Sequence, residues 1–151
     1  MRPADTDVET TLIVIPPDTN PHGTAFGGWI MSQMDLVAAI CTTRFTGNRK
    51  CVTAHVDDLQ FNIPINLGEI ITLKSRVNWV GKSSLEIGVK VVKDNCDSQV
   101  HCLSGFLTFV NIGDDGKPCF IPRSLTCESV DEHRRWADAE QRRKDRLARR
   151  R

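Results

Sequence analysis

Between Gly23 and Thr43 the chain carries a single charge, Asp35. The stretch follows a turn-rich segment, Asp18-Thr19-Asn20-Pro21-His22-Gly23, whose residues favour tight loop geometry. From Gly27 to about Phe45 the pattern predicts a helix that is apolar almost all the way round. Trp29, Ile30, Met31, Met34, Leu36, Val37 and Ile40 leave it no continuous polar face. Such a helix has to be covered by other parts of the fold. A membrane span does not fit, because Gly27-Gly28, Ser32, Gln33 and Asp35 would each meet lipid.

The rest of the chain offers strands as the cover. Val8 to Ile15 is β-rich and stops at Pro16-Pro17. Four longer runs follow the helix: Cys51–Phe61, Glu69–Val80, Ser84–Val92 and Val100–Val110. In the second, alternation predicts Ile71, Leu73, Val77 and Trp79 on one face, with Lys74 and Arg76 on the other. The links between these runs are short, which suits antiparallel neighbours. The fold class is therefore α+β: one antiparallel sheet of five to six strands wrapped around one long helix. We expect the compact unit to end near residue 125, with residues 126–151 forming a polar helix or tail.

At 151 residues the chain suits one core. Its net charge of +1 gives no overall bias toward nucleic acid. Locally, His133 to Arg151 holds nine Lys/Arg against three Asp/Glu. A charge run of this kind is ordinarily solvated surface, and it lacks the aromatic interleaving of a nucleic-acid module. The six cysteines form no C-x-x-C pair or zinc spacing, so reduced thiols and no metal are expected. Met1 to Glu9 is polar and acidic, unlike a signal peptide, and a cytoplasmic protein is expected.

A carboxylate set in an apolar helix is costly unless something pairs with it. A neighbouring loop that satisfies it is the plain structural alternative. The chemical alternative draws on what surrounds it. Gly27-Gly28 opens the helix, where free N–H groups and the helix dipole favour negative charge, and missing side chains admit a ligand. Amides that receive an oxyanion and a carboxylate that activates water together suit acyl transfer.

The string His22-Gly23-Thr24-Ala25-Phe26-Gly27-Gly28-Trp29-Ile30-Met31-Ser32-Gln33-Met34-Asp35, with Asn20 just before it, resembles the signature of hotdog-fold acyl-CoA thioesterases. The likeness is to the branch of bacterial short-chain and cytosolic long-chain acyl-CoA hydrolases. It continues through Val56–Phe61, Pro64, Gly68-Glu69 and Gly81–Ser84, and covers roughly Thr10 to Asn111. The resemblance implies hydrolysis of acyl-CoA to a free acid and coenzyme A, without a metal or separate cofactor. It places the base, or alternatively the nucleophile, on Asp35 and a carbonyl- or water-placing amide on Asn20. These two would come from opposite subunits of a dimer, itself part of a hexamer of three dimers, with Gly27 and Gly28 as the oxyanion hole. The turn Gly81-Lys82-Ser83-Ser84 would meet the coenzyme A phosphates, with Lys74 and Arg76 as weaker candidates.

His22 has both a structural reading, as a loop residue that shapes the turn, and a direct catalytic one. His55 is assigned no catalytic role. Asp57 and Asp58 read as a solvated strand-end pair. Trp29, Met31, Met34 and Trp79 are candidates for narrowing an acyl pocket. Two other functions remain in view: a hotdog dehydratase or hydratase using His22 with Asp35, and a non-catalytic acyl-CoA sensor.

Overall fold

The computed structural model describes residues 1–150. After a short 3-10 turn (Pro3–Thr6) come β1 (Val8–Ile13), a second 3-10 turn (Pro16–Asp18) and α1 (Gly27–Thr46). Four strands follow, β2 (Val52–Phe61), β3 (Ile70–Val80), β4 (Ser84–Asn95) and β5 (Ser98–Val110), and then α2 (Val130–Arg149). The strands form one antiparallel sheet in the order β1-β3-β4-β5-β2. It wraps α1 as the hotdog resemblance implies. All six cysteines are free thiols. Among the described residues no helix is long and apolar enough to cross a membrane.

The helix α1 ends at Gly47, whose backbone is left-handed at φ 72° and whose N–H returns to the Thr43 carbonyl at 2.8 Å. Glycine adopts that conformation without the Cβ clash other residues meet. Ile30, Met34, Val37, Ala38, Cys41 and Phe45 recur at helical spacing and are buried against the sheet. The cover is one-sided, however, where the sequence suggested burial all round. Met31, Leu36 and Ile40 remain exposed, Leu36 by 58%. Burying a side chain of this size is worth about 1.5–3 kcal/mol, so a single chain leaves substantial apolar free energy unused on this face.

The strands alternate as period 2 requires. Ile71, Leu73 and Val77 of β3, and Leu85, Ile87, Val89 and Val91 of β4, join the core around α1. Trp79 does not share that face, contrary to the alternation read from the sequence. The β3–β4 register slips between Val77 and Trp79, so Trp79 pairs with Glu86 on the outer face. One inserted residue reverses the side on which the next side chain lies. There the indole packs against Trp136 with ring centroids 6.2 Å apart, and it covers Gly81, where a Cβ would lie 2.5 Å from the ring.

The basic C-terminal segment is solvated along most of its length, as its composition suggests, but one face of it is packed and paired. As α2 it lies across the outer face of the sheet, with Ala139 buried. Arg142 donates to both carboxylate oxygens of Glu86, at 2.7 and 2.9 Å. Its guanidinium sits 3.6 Å from the centre of the Phe106 ring. Arg146 donates to Asp57 at 2.5 Å, so Asp57 is a half-buried paired acid and not a solvated one. At the other end, Ser129 caps α2 and Glu132 completes the capping box. Glu132 is buried and also receives Arg2 at 3.0 Å and the Ala4 N–H at 3.2 Å, which ties the first residues of the chain to α2.

Glu86 is only 2% exposed, so losing its cation leaves a buried charge unpaired. Arg142→Ala is expected to cost about 3–5 kcal/mol, measured by urea unfolding. Glu132 titrates in the opposite sense from a buried lone acid. N–H donation from Ser129, then Glu128 and Arg2, holds its carboxyl far below the ordinary value of 4.5. Its stabilisation is therefore present above the unfolded value and lost as pH falls toward the folded one. The Tm gap between wild type and Glu132→Gln is expected to be full at neutral pH and to close below about pH 4.5.

Candidate active site

The helical position of Asp35 explains its surroundings. It follows Met31 by four residues, and it sits where the buried stripe of α1 gives way to the exposed one. The carboxylate is thus half-buried at a boundary. Thr53, near the start of β2, donates its hydroxyl to Asp35 Oδ1 at 2.6 Å. Together they border a pocket of about 240 Å³ whose apolar lining includes Met31, Met34, Val56, Leu59 and Leu107. Met31 and Met34 therefore reach this pocket, whereas Trp29 and Trp79 are absent from its lining.

Two of the lining side chains, Leu59 and Met34, lie close against Gly105 of β5. A Cβ there would lie 3.1 Å from Leu59 Cδ1 and 3.3 Å from Met34 Cε. Contacts that close force neighbours to shift, so glycine leaves room for both side chains.

The first turn of α1 has no side-chain cap, since its N-cap residue is Phe26. The Gly27 and Gly28 amides at this end are of the type a helix leaves free for an anion. A Cβ on Gly28 would meet nothing within 4 Å, and one on Gly27 would meet Phe61 at 3.5 Å. Open space, not tight packing, surrounds Gly28.

Asn20 organises the preceding turn. Its side-chain oxygen accepts from the His22 N–H at 2.9 Å and the Thr24 N–H at 3.2 Å, and its amide donates to Thr24 Oγ1 at 2.7 Å. One amide hydrogen is left over. Asn20 and His22 are not among the residues that line the Asp35 pocket of their own chain. His22 is exposed and takes part in the turn through its backbone.

The turn Gly81-Lys82-Ser83-Ser84 is held through its backbone. The Gly81 N–H returns to Ser84 at 2.8 Å, while Lys82 and Ser83 carbonyls accept from Ile121 and Asn111 at 2.8 and 2.7 Å. The Lys82 side chain stays exposed. Arg76 is already committed to Asp7, at 2.6 and 2.7 Å. A larger cavity, about 400 Å³, lies under α2 on the outer face. Its arginines 76, 134, 135 and 142 are paired with acids, whereas Lys74 and Lys90 in the same lining have no acid partner among the described residues.

Thr53 went unnoticed in the sequence. It lies eighteen residues beyond Asp35, and only the pairing of β2 beside α1 brings the two together. Arg142 and Arg146 went unnoticed too, although a glutamate between Leu85 and Ile87 in a doubly covered strand calls for a cation.

Residues 22–98, which start two residues after Asn20 and carry α1 and β2 to β4, match the model of the family described as the Thioesterase superfamily. The uncharacterized acyl-CoA thioester hydrolase YkhA of Bacillus subtilis is 41% identical over 121 residues, covering 79% of this chain and 70% of that protein. The structure is similar to an acyl-CoA hydrolase from Staphylococcus aureus solved with butyryl coenzyme A, coenzyme A and coenzyme A disulfide. That likeness has a TM-score of 0.90 at 32% identity and covers 99% of this chain and 91% of the other. The same enzyme has been solved with an aspartate, a threonine or an asparagine replaced by alanine. A hexameric thioesterase from Yersinia pestis matches with a TM-score of 0.70 at 32% identity, covering 76% of this chain and 93% of its own. With the family match falling on every residue that lines the pocket except Leu107, the chain belongs to the thioesterase superfamily.

Proposed function

We propose that the chain hydrolyses acyl-CoA to a free carboxylic acid and coenzyme A. The observation that carries this reading is the Asp35 carboxylate, fixed by Thr53 at the wall of an apolar pocket. An acyl chain fits the pocket, and its thioester carbonyl lies toward Asp35. Asp35 takes a proton from water as the water oxygen attacks the carbonyl carbon. Negative charge builds on the carbonyl oxygen and is received by the amides of Gly27 and Gly28 of the partner subunit, because those of the same chain lie two turns of α1, roughly 11 Å, from Asp35. The C–S bond then breaks, and the proton passes to the departing thiolate. The same carboxylate also serves the alternative route, direct attack to give a mixed anhydride that water then opens.

Asn20, with its remaining amide hydrogen, positions the water or the carbonyl from the partner subunit. Met31 and Asp35 border the open edge of β2, where Val52, Val56 and Phe61 are exposed, and this supports a second copy on this side. The hexameric relative supports assembly of three such dimers. The exposed Lys82, with Ser83 and Ser84, meets the coenzyme A phosphates. The residue types altered in the Staphylococcus aureus enzyme, aspartate, threonine and asparagine, are the types of Asp35, Thr53 and Asn20.

Thiol release from acetyl-, hexanoyl- and palmitoyl-CoA tests the activity. Release above background is expected with at least one chain length, and its absence with all three defeats the proposal. Asp35→Ala is expected to lower kcat/KM by about 10²–10⁴-fold with folding retained, and Thr53→Val by less. Mixing Asn20→Ala with Asp35→Ala subunits is expected to restore part of the activity in heterodimers. Heterodimers that form and stay inactive would remove Asn20 from the shared site.

A further inference from the structure

The strand that carries Thr53 also carries an irregularity farther along. Asp57 pairs with Phe106 and Gln60 with Ser104, so Asp58 and Leu59 together face the single residue Gly105. The extra residue is taken up at Asp58, whose φ of 52° lies in the left-handed region that non-glycine residues rarely occupy. A bulge of this kind re-aims the side chain beside it. Here that side chain is Leu59, which lines the pocket next to Asp35 and lies over Gly105.

What holds the bulge is on the opposite face of the sheet. Arg146 donates to Asp57 Oδ2 at 2.5 Å, with the two side chains 12% and 16% exposed. Water has little access to replace either partner. Arg146 is in turn set by α2, because Arg142, one helical turn earlier, is fixed to the buried Glu86. A helix on one face thus holds Asp57, the last regularly paired residue before the bulge, and the bulge at Asp58 leads into Leu59 in the pocket wall on the other face.

We infer that Arg146 is a positioning residue that selects among acyl chains, its ion pair with Asp57 fixing the bulge that aims Leu59 into the acyl pocket. The inference rests on the hydrolase reading given above. Arg146 touches no substrate. It acts through Asp57 and the bulge on Leu59, so its loss is felt by acyl chains long enough to reach that wall. The acetyl group, which reacts beside Asp35, is affected least.

The test is thiol release by the full-length protein from acetyl-, hexanoyl- and palmitoyl-CoA, with kcat and KM separated for each. In Arg146→Ala, kcat on the shortest chain released is expected to stay within about twofold, while kcat/KM for longer chains relative to it falls at least about fivefold. Leu59→Ala is expected to shift the ratio the same way, and the double variant to add nothing further, because both act on one wall. Arg146→Lys, which keeps the charge, is expected to recover part of the ratio. An unchanged ratio, an equal loss at every chain length, or additive effects in the double variant overturns the inference. Should Arg146→Ala not fold, Arg146→Lys carries the test: a smaller shift in the same direction supports the inference, and an unchanged ratio defeats it. No release by the wild-type protein at any length would instead bring down the hydrolase reading, and this inference with it.

Discussion

A helix with apolar residues around nearly its whole circumference cannot stand alone in water, and that requirement organises this protein. Ile30, Met34, Val37, Cys41 and Phe45 draw the inner faces of β3, β4 and β5 around them. The sheet closes over only part of the circumference and leaves Met31, Leu36 and Ile40 outside. Asp35 lies on the border between these regions, and the border is the one place where a carboxylate can meet both an apolar pocket and an incoming polar group. The same imbalance that leaves α1 partly bare thus makes room for the candidate chemistry.

The outer face of the sheet is held together by charge. Glu86 and Asp57 are acids on a surface that α2 covers, and Arg142 and Arg146 answer them. Buried ion pairs give little net stability over apolar packing, but removing one partner is expensive. They fix where α2 lies more than how tightly it binds. The tilted Trp79–Trp136 pair adds apolar area to a helix with few apolar side chains of its own.

Much of this was legible in the residues, and the misses have physical causes. The all-apolar run gave α1 almost to the residue, and the short links between alternating runs gave the antiparallel strands. Asp35 stood out because charge in such a run needs a reason. Trp79 was placed on the wrong face because alternation carries no mark where a bulge inserts a residue. The paired face of the C-terminal run was missed because composition counts charges without their partners, and those partners, Glu86 and Asp57, lie 56 and 89 residues away. Thr53 escaped for the same reason: a hydroxyl on a strand gains meaning only from the helix it faces.

The two edges of the sheet are unequal. β1 is six residues long and is followed by Pro16-Pro17, whereas β2 is ten residues long with Val52, Val56 and Phe61 exposed. Edge strands are templates for adding further chains, and short edges flanked by proline discourage it. A chain with one inviting edge and one poor edge can pair edge to like edge about a twofold axis, and that pairing uses up the edge it needs. Strand addition at β2 in that arrangement would stop at two copies and would not extend into a fibre.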